Sequence, residues 1–177
     1  MKRLTDYIAE SFKRPSAGQT GQNKSVKPRT KDELEKIIKD AFAHKQYNLN
    51  FIDTSYITDM SGLFEGVRHQ FDVTDWDVSN VTDMSFMFAD CTQFNGDLSV
   101  WDVSNVTDMS FMFKNCGRFD GEISAWDVSS VTNMWAMFKN CQKLKCNLSR
   151  WNVRKDVNTR FMFDGCDKIK VPSWYRE

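Results

Sequence analysis

Five cysteines, two histidines and a recurring set of aspartates are the residues with which this 177-residue chain could do chemistry. Cys91, Cys116, Cys141 and Cys166 recur at intervals of 25. No Cys-x-x-Cys pair occurs, and neither His44 nor His69 shares the register of the thiols. Zinc-type ligation is therefore not indicated, and the four are expected as reduced, small apolar groups in a shared core. Cys146 stands where Gly96 and Gly121 stand and is the cysteine expected nearest the surface. Asp53, Asp77, Asp102 and Asp127 form one column, and Asp59, Asp83 and Asp108 another. Calcium needs several carboxylate and carbonyl oxygens. Asn152 and Asn133 interrupt these columns and no glycine-rich loop accompanies them, so the aspartates are expected to bond turn backbone. The stretch Gly18 to Ser25 has Asn23 where a phosphate loop needs glycine, and lacks the flanking strand and helix. A nucleophile needs a neighbouring base, and both histidines lie outside the regular repeats. No catalytic, cofactor or metal site is expected, and an enzyme or metal-dependent protein is the least favoured alternative.

What positions these columns is a repeat. WDVSNVTDMSFMFADC begins at Trp76, WDVSNVTDMSFMFKNC at Trp101, WDVSSVTNMWAMFKNC at Trp126 and WNVRKDVNTRFMFDGC at Trp151, with IDTSYITDMSGLF from Ile52 as an earlier, degenerate copy. Self-similarity at such a period signals a repeat array. LSVWDV, Leu98 to Val103, reads as a short strand, Ser104-Asn105 as a turn, and Thr107 as the cap of a helical segment. Met109, Met112, Phe113 and Cys116 would form the apolar face of that segment. The expectation is an α+β repeat: a short leucine-rich-repeat-like solenoid of about five 25-residue coils, each a short strand plus a short helix, over residues 31–177.

Thr30-Lys31-Asp32-Glu33 is a capping box. Leu34, Ile37, Ile38, Ala41 and Phe42 behind it give a one-sided amphipathic helix over 31–46, suited to covering an open end. Trp174 and Tyr175 are expected to cover the other end. Leu4, Ile8 and Phe12 suggest a small amphipathic helix over residues 1–12, and the polar, basic stretch 13–30 reads as a flexible linker. Lysine plus arginine balance aspartate plus glutamate at 24 each, but the balance is local: residues 51–110 carry one base and 11 acids, while the segments on either side are each net +5. A neutral whole gives no general argument for nucleic-acid binding. Mean hydropathy of −0.55 and the lack of a long apolar run give none for a membrane span.

The strings KPRTKDELEKIIKDAF, DVSNVTDMSxMFxxC and FNGDLSxW resemble the BspA-like leucine-rich-repeat family in its DUF285 variant, over residues 27–170. That resemblance implies a binding role without catalysis. In the last repeat Lys155-Asp156 replaces the Asn-Val pair and Thr159 replaces Met. MKRLTDYIAES is similar to the capsid-targeting peptides of internal head proteins in T-even-type bacteriophages, which end at a Leu/Ile-x-Glu site. The resemblance implies Glu10 as the processing site. It also implies a phage protein packaged in the virion and acting in the host cytoplasm on a host defence or metabolic protein. No classical signal peptide is present, because Asp6 and Glu10 interrupt any apolar stretch. The alternative is a cell-surface or secreted adhesin.

The most favoured role is a monomeric protein–protein interaction module. Candidate contact residues are those that vary within a fixed frame. Trp135 and Arg160 stand where Ser85 and Ser110 stand, Phe86 and Phe111 belong to a column with Ala136 and Phe161, and Asp97 and Glu122 lie in the links between repeats. An exposed aromatic anchor would carry the contact, and the acids would steer association.

Overall fold

The computed structural model describes residues 26–176. The expected helix over 1–12, most of the expected linker and Glu10 lie outside the described residues. Residues 26–30, assigned to the linker from sequence, are tied to the first repeat. Val26 forms a parallel bridge with Ile52, Pro28 is buried, and Lys27 pairs with Asp53 at 3.1 Å.

Helix α1 (Lys31–Ala43) starts as its capping box requires. The Glu33 amide donates to Thr30 Oγ1, and the Arg29 amide donates to Glu33 Oε2. It ends earlier than expected, in a Schellman turn: Gln46 N–H donates to Ala41 O and Lys45 N–H to Phe42 O, with Lys45 at φ 58°. Leu34, Ile37, Ile38 and Ala41 are buried on its inner face. Lys31 Nζ reaches Asp59 Oδ1 at 3.2 Å and Ser61 Oγ at 2.6 Å, fixing α1 to the first repeat.

The expected α+β solenoid of strand-plus-helix coils is not what the chain forms. Among the described residues α1 is the single helix and there is no strand, only isolated parallel bridges such as Asp59–Asp83, Asp83–Asp108, Asp108–Asn133 and Asn133–Asn158. The 25-residue repeat builds a stack of turns. LSVWDV is turn rather than strand, since Trp101 N–H returns to Leu98 O and Val106 N–H to Val103 O. The presumed helical segment uses its amides alternately. Those of Met84, Phe86, Phe88 and Asp90 donate to Asp108, Ser110, Met112 and Lys114 of the next repeat, at 2.8–2.9 Å. Those of Met87, Ala89 and Cys91 close turns onto the carbonyls three residues back. An α-helix would send every amide to the residue four before it. It would also exclude the left-handed backbone found twice per repeat, at Phe86 and Asp90, Phe111 and Asn115, Ala136 and Asn140, and Phe161 and Gly165, with Gly62 and Gly66 leading the series.

Side chains complete the stack. Thr82, Thr107 and Thr132 do not cap helices; each hydroxyl donates to the carbonyl of the threonine one repeat earlier. Asp83 and Asp108 accept the amides of Ser85 and Ser110. The indole N–H of Trp76, Trp101, Trp126 and Trp151 donates back to a carbonyl of the preceding repeat at 3.0–3.2 Å. Inside, Phe64, Phe88, Phe113, Phe138 and Phe163 form a near-parallel pile with centroids 5.3–6.0 Å apart. Each fully buried ring contributes about 2 kcal/mol by leaving water. A second column shows size compensation. A Cβ at Gly96 would meet the Phe94 ring at 2.9 Å and one at Gly121 the Phe119 ring at 2.8 Å; the next repeat carries Leu144, and there Cys146 takes the glycine's place. At the far end Trp174 stacks on Trp151 and bonds Leu148 O, while Tyr175 packs on Phe163.

The left-handed positions make a sharp test. Ala136 is buried at φ 50°, where a Cβ costs about 1 kcal/mol relative to glycine. Ala136→Gly should raise stability by about that amount in urea unfolding. The same change at Ala89, also buried but not left-handed, should lower it by about 1 kcal/mol. Equal destabilisation at both sites would refute the turn geometry.

Candidate functional site

The left-handed column carries aromatic rings on the outside of the stack. Phe86 and Phe111 stack at 4.3 Å. Trp135 meets Phe111 edge-on at 4.4 Å and Phe161 at 6.2 Å. The register explains the arrangement. In the third full repeat the left-handed position holds Ala136, which leaves a gap, and the preceding residue, Trp135, swings its indole into the column. Phe161 is 48% exposed, while Phe86, Phe111 and Trp135 are half-buried against one another. Lysines border the column, with Lys114 Nζ 5.7 Å from the Phe111 ring centre and Lys139 Nζ 5.5 Å from that of Phe161.

Of the residues expected at the site, Phe86, Phe111 and Trp135 come together. Arg160 is exposed, its amide turned to Asn158 Oδ1. Asp97 and Glu122 have a different occupation: each accepts the amide of the serine two residues on. Those hydrogen bonds from Ser99 and Ser124 hold both carboxyls below their ordinary range. Sequence reasoning noted Phe161 in its column but did not select it, and it passed over Lys114 and Lys139. For Phe161 the signal was available in the column it shares with Phe86 and Phe111; Lys114 and Lys139 share theirs with Ala89 and Asp164, and nothing in that column singles them out.

The same repeats form an open groove of about 650 Å³, lined in part by Thr92, Asn115, Arg118, Asn140 and Lys143. Two of its walls are amide side chains in series. Asn140 Nδ2 donates to Asn115 Oδ1 and Asn115 Nδ2 to Asp90 Oδ1, at 2.7 and 2.6 Å.

The thiols are built into the stack as hydrogen-bond donors. Cys91, Cys116, Cys141 and Cys166 each point Sγ at a carbonyl of the preceding repeat, those of Phe64, Phe88, Phe113 and Phe138, at 2.9 Å. All five cysteines are free. Burial pushes Cys91 and Cys146 up to about 12 and Cys166 up to about 11; Cys116 and Cys141 are raised as well, mainly by burial. At neutral pH none supplies a thiolate. Of the two histidines, His44 bonds Asp40 O at the end of α1 and His69 packs edge-on against Phe42. Because the folded thiols titrate above the ordinary value of 9.0, their contribution is complete below pH 9 and is lost as pH rises toward 12. Iodoacetamide at pH 7.5 should leave the folded protein unmodified and label five sites in denaturant, and the melting temperature should fall once pH passes 9. Rapid labelling of a column thiol in the folded state would contradict this packing.

A family model described as "Mycoplasma protein of unknown function, DUF285" matches residues 32–122 and again 58–174. No curated protein and no solved structure matches the chain. The two overlapping matches take in α1, the turn-built repeats and the aromatic column, and carry neither the leucine-rich-repeat label nor the phage-type N-terminus. The chain belongs to the DUF285 family.

Proposed function

We propose that this protein is a non-enzymatic protein-interaction module whose contact surface is the column Phe86, Phe111, Trp135 and Phe161. One observation carries the reading: three phenylalanines occupy left-handed backbone at φ 57–59°, in a column where Gly62 adopts the same turn. Glycine would satisfy that geometry without strain. A bulky residue held there costs on the order of 1–3 kcal/mol, and such strain clusters at functional positions. The return is an outward aromatic strip, and buried aromatic anchors supply most of the energy at protein interfaces. The chain is neutral overall, which gives no support to general polyanion binding.

The first eleven residues support a more specific setting. MKRLTDYIAES resembles a phage capsid-targeting peptide ending at Glu10, so the proposed setting is a protein packaged in a phage head and delivered into a host cell. There the strip would bind, and so block, a host defence protein.

Two experiments test these readings. Affinity capture from host lysate should enrich a partner with the native protein. Trp135→Ala should weaken that partner by about 2 kcal/mol and lower the melting temperature by only a few degrees, roughly the effect of about 1 kcal/mol at this size. A variant that unfolds yet still captures the partner would make Trp135 a packing residue and move the contact surface elsewhere. For the setting, mass spectrometry of virion-derived protein should find Ser11 as the first residue; an intact Met1 there would remove the packaging proposal.

A further inference from the structure

The groove lined by Asn115 and Asn140 has a chemistry of its own. Arg118 and Lys143 are exposed on its rim and have no ion-pair partner among the described residues, and the nearest carboxylate to its wall, Asp90, is engaged by Asn115 at 2.6 Å. Other cations nearby are engaged: Lys139 with Asp164 at 3.5 Å and Lys145 with Asp120 at 2.8 Å. The groove crosses three repeats, through Thr92, Asn115 and Asn140, and the same three repeats supply Phe86, Phe111 and Trp135. Lys114 joins the two features, its ammonium over the Phe111 ring and its chain neighbour Asn115 in the groove wall. Rings and cations thus recur through the same three repeats, linked at Lys114 and Asn115.

We infer that groove and column together take an extended acidic peptide segment of a partner protein, its apolar side chains against the rings and its carboxylates over Arg118 and Lys143. This rests on the interaction reading above and names the chemistry of the partner. Side chains on one face of an extended chain recur roughly every 6.8 Å, so three repeats of the stack match two or three such side chains. A nucleic acid fits less well. Its bases need open ring faces to stack on, and the faces of Phe86 and Phe111 close on each other at 4.3 Å. Two unpaired cations also neutralise too few phosphates to hold a strand at physiological salt.

The test uses the full chain and fluorescence anisotropy with a labelled synthetic peptide alternating Glu with Phe and Leu. Controls replace Glu by Lys, replace the apolar residues by Ser, or substitute a single-stranded oligonucleotide of equal charge. The Glu/Phe/Leu peptide should bind at least about tenfold more tightly than each control. The double variant R118E/K143E should lose about tenfold in affinity with its melting temperature unchanged, and R150E, outside the groove, should bind normally. Equal or tighter binding of the oligonucleotide, equal binding of the Lys or Ser peptide, or indifference to R118E/K143E would each overturn the inference. If no peptide binds while Trp135→Ala still abolishes partner capture, the acidic-segment inference fails and the interaction module stands. If the peptide binds but capture ignores Trp135→Ala, the contact surface proposed for the partner fails.

Discussion

Every level of this structure depends on how one short segment divides its backbone amides. Between Met84 and Cys91, and at the equivalent places in each repeat that has a successor, alternate N–H groups reach to the next repeat while those between close turns at home. A buried amide must find an acceptor, and this division satisfies all of them without forming a helix or a sheet. It tolerates a change of length elsewhere in the repeat: the step from Ile52 to Trp76 is 24 residues, and Met60, Gly62, Phe64 and Gly66 still donate to Asp83, Ser85, Met87 and Ala89. The columns of Phe, Met, Cys and Asp stay in register because this segment does.

The same division explains what could be read from the chain alone. Period, core columns, the capping box of α1 and the turn-bonding role of the aspartates were all legible, because each rests on residue type at a fixed spacing. The conformation of the repeat was not. Met109, Met112, Phe113 and Cys116 satisfy helical spacing, yet consecutive turns closed three residues back place the same four side chains inward. Only Gly62, Gly66 and Gly165 hinted at left-handed backbone, and in the repeats between them Phe86, Asp90 and their counterparts take those places. Phenylalanine is rarely found there, so its presence gives no local warning.

The candidate site was partly legible for a related reason. Variation inside a fixed frame singled out Trp135 against Ser85 and Ser110, but its meaning lay in the neighbouring column, where Ala136 leaves room for the indole. Asp97 and Glu122 vary too, and their carboxylates are committed to the amides of Ser99 and Ser124. Substitutions in a repeat acquire meaning in pairs: Ala136 with Trp135, Leu144 with Cys146. A single column read alone shows a loss in one place and an unexplained gain in another.

The tryptophan and cysteine hydrogen bonds give the stack a direction. Each indole and each thiol donates backward, to carbonyls of the repeat that precedes it in the chain. A repeat just emerging from synthesis therefore has carbonyls, such as Leu98 O and Phe88 O, whose second hydrogen bond comes only with its successor. The stack is completed from behind, and the last carbonyl of the indole series, Leu148 O, takes its second hydrogen bond from Trp174, which comes from no repeat at all.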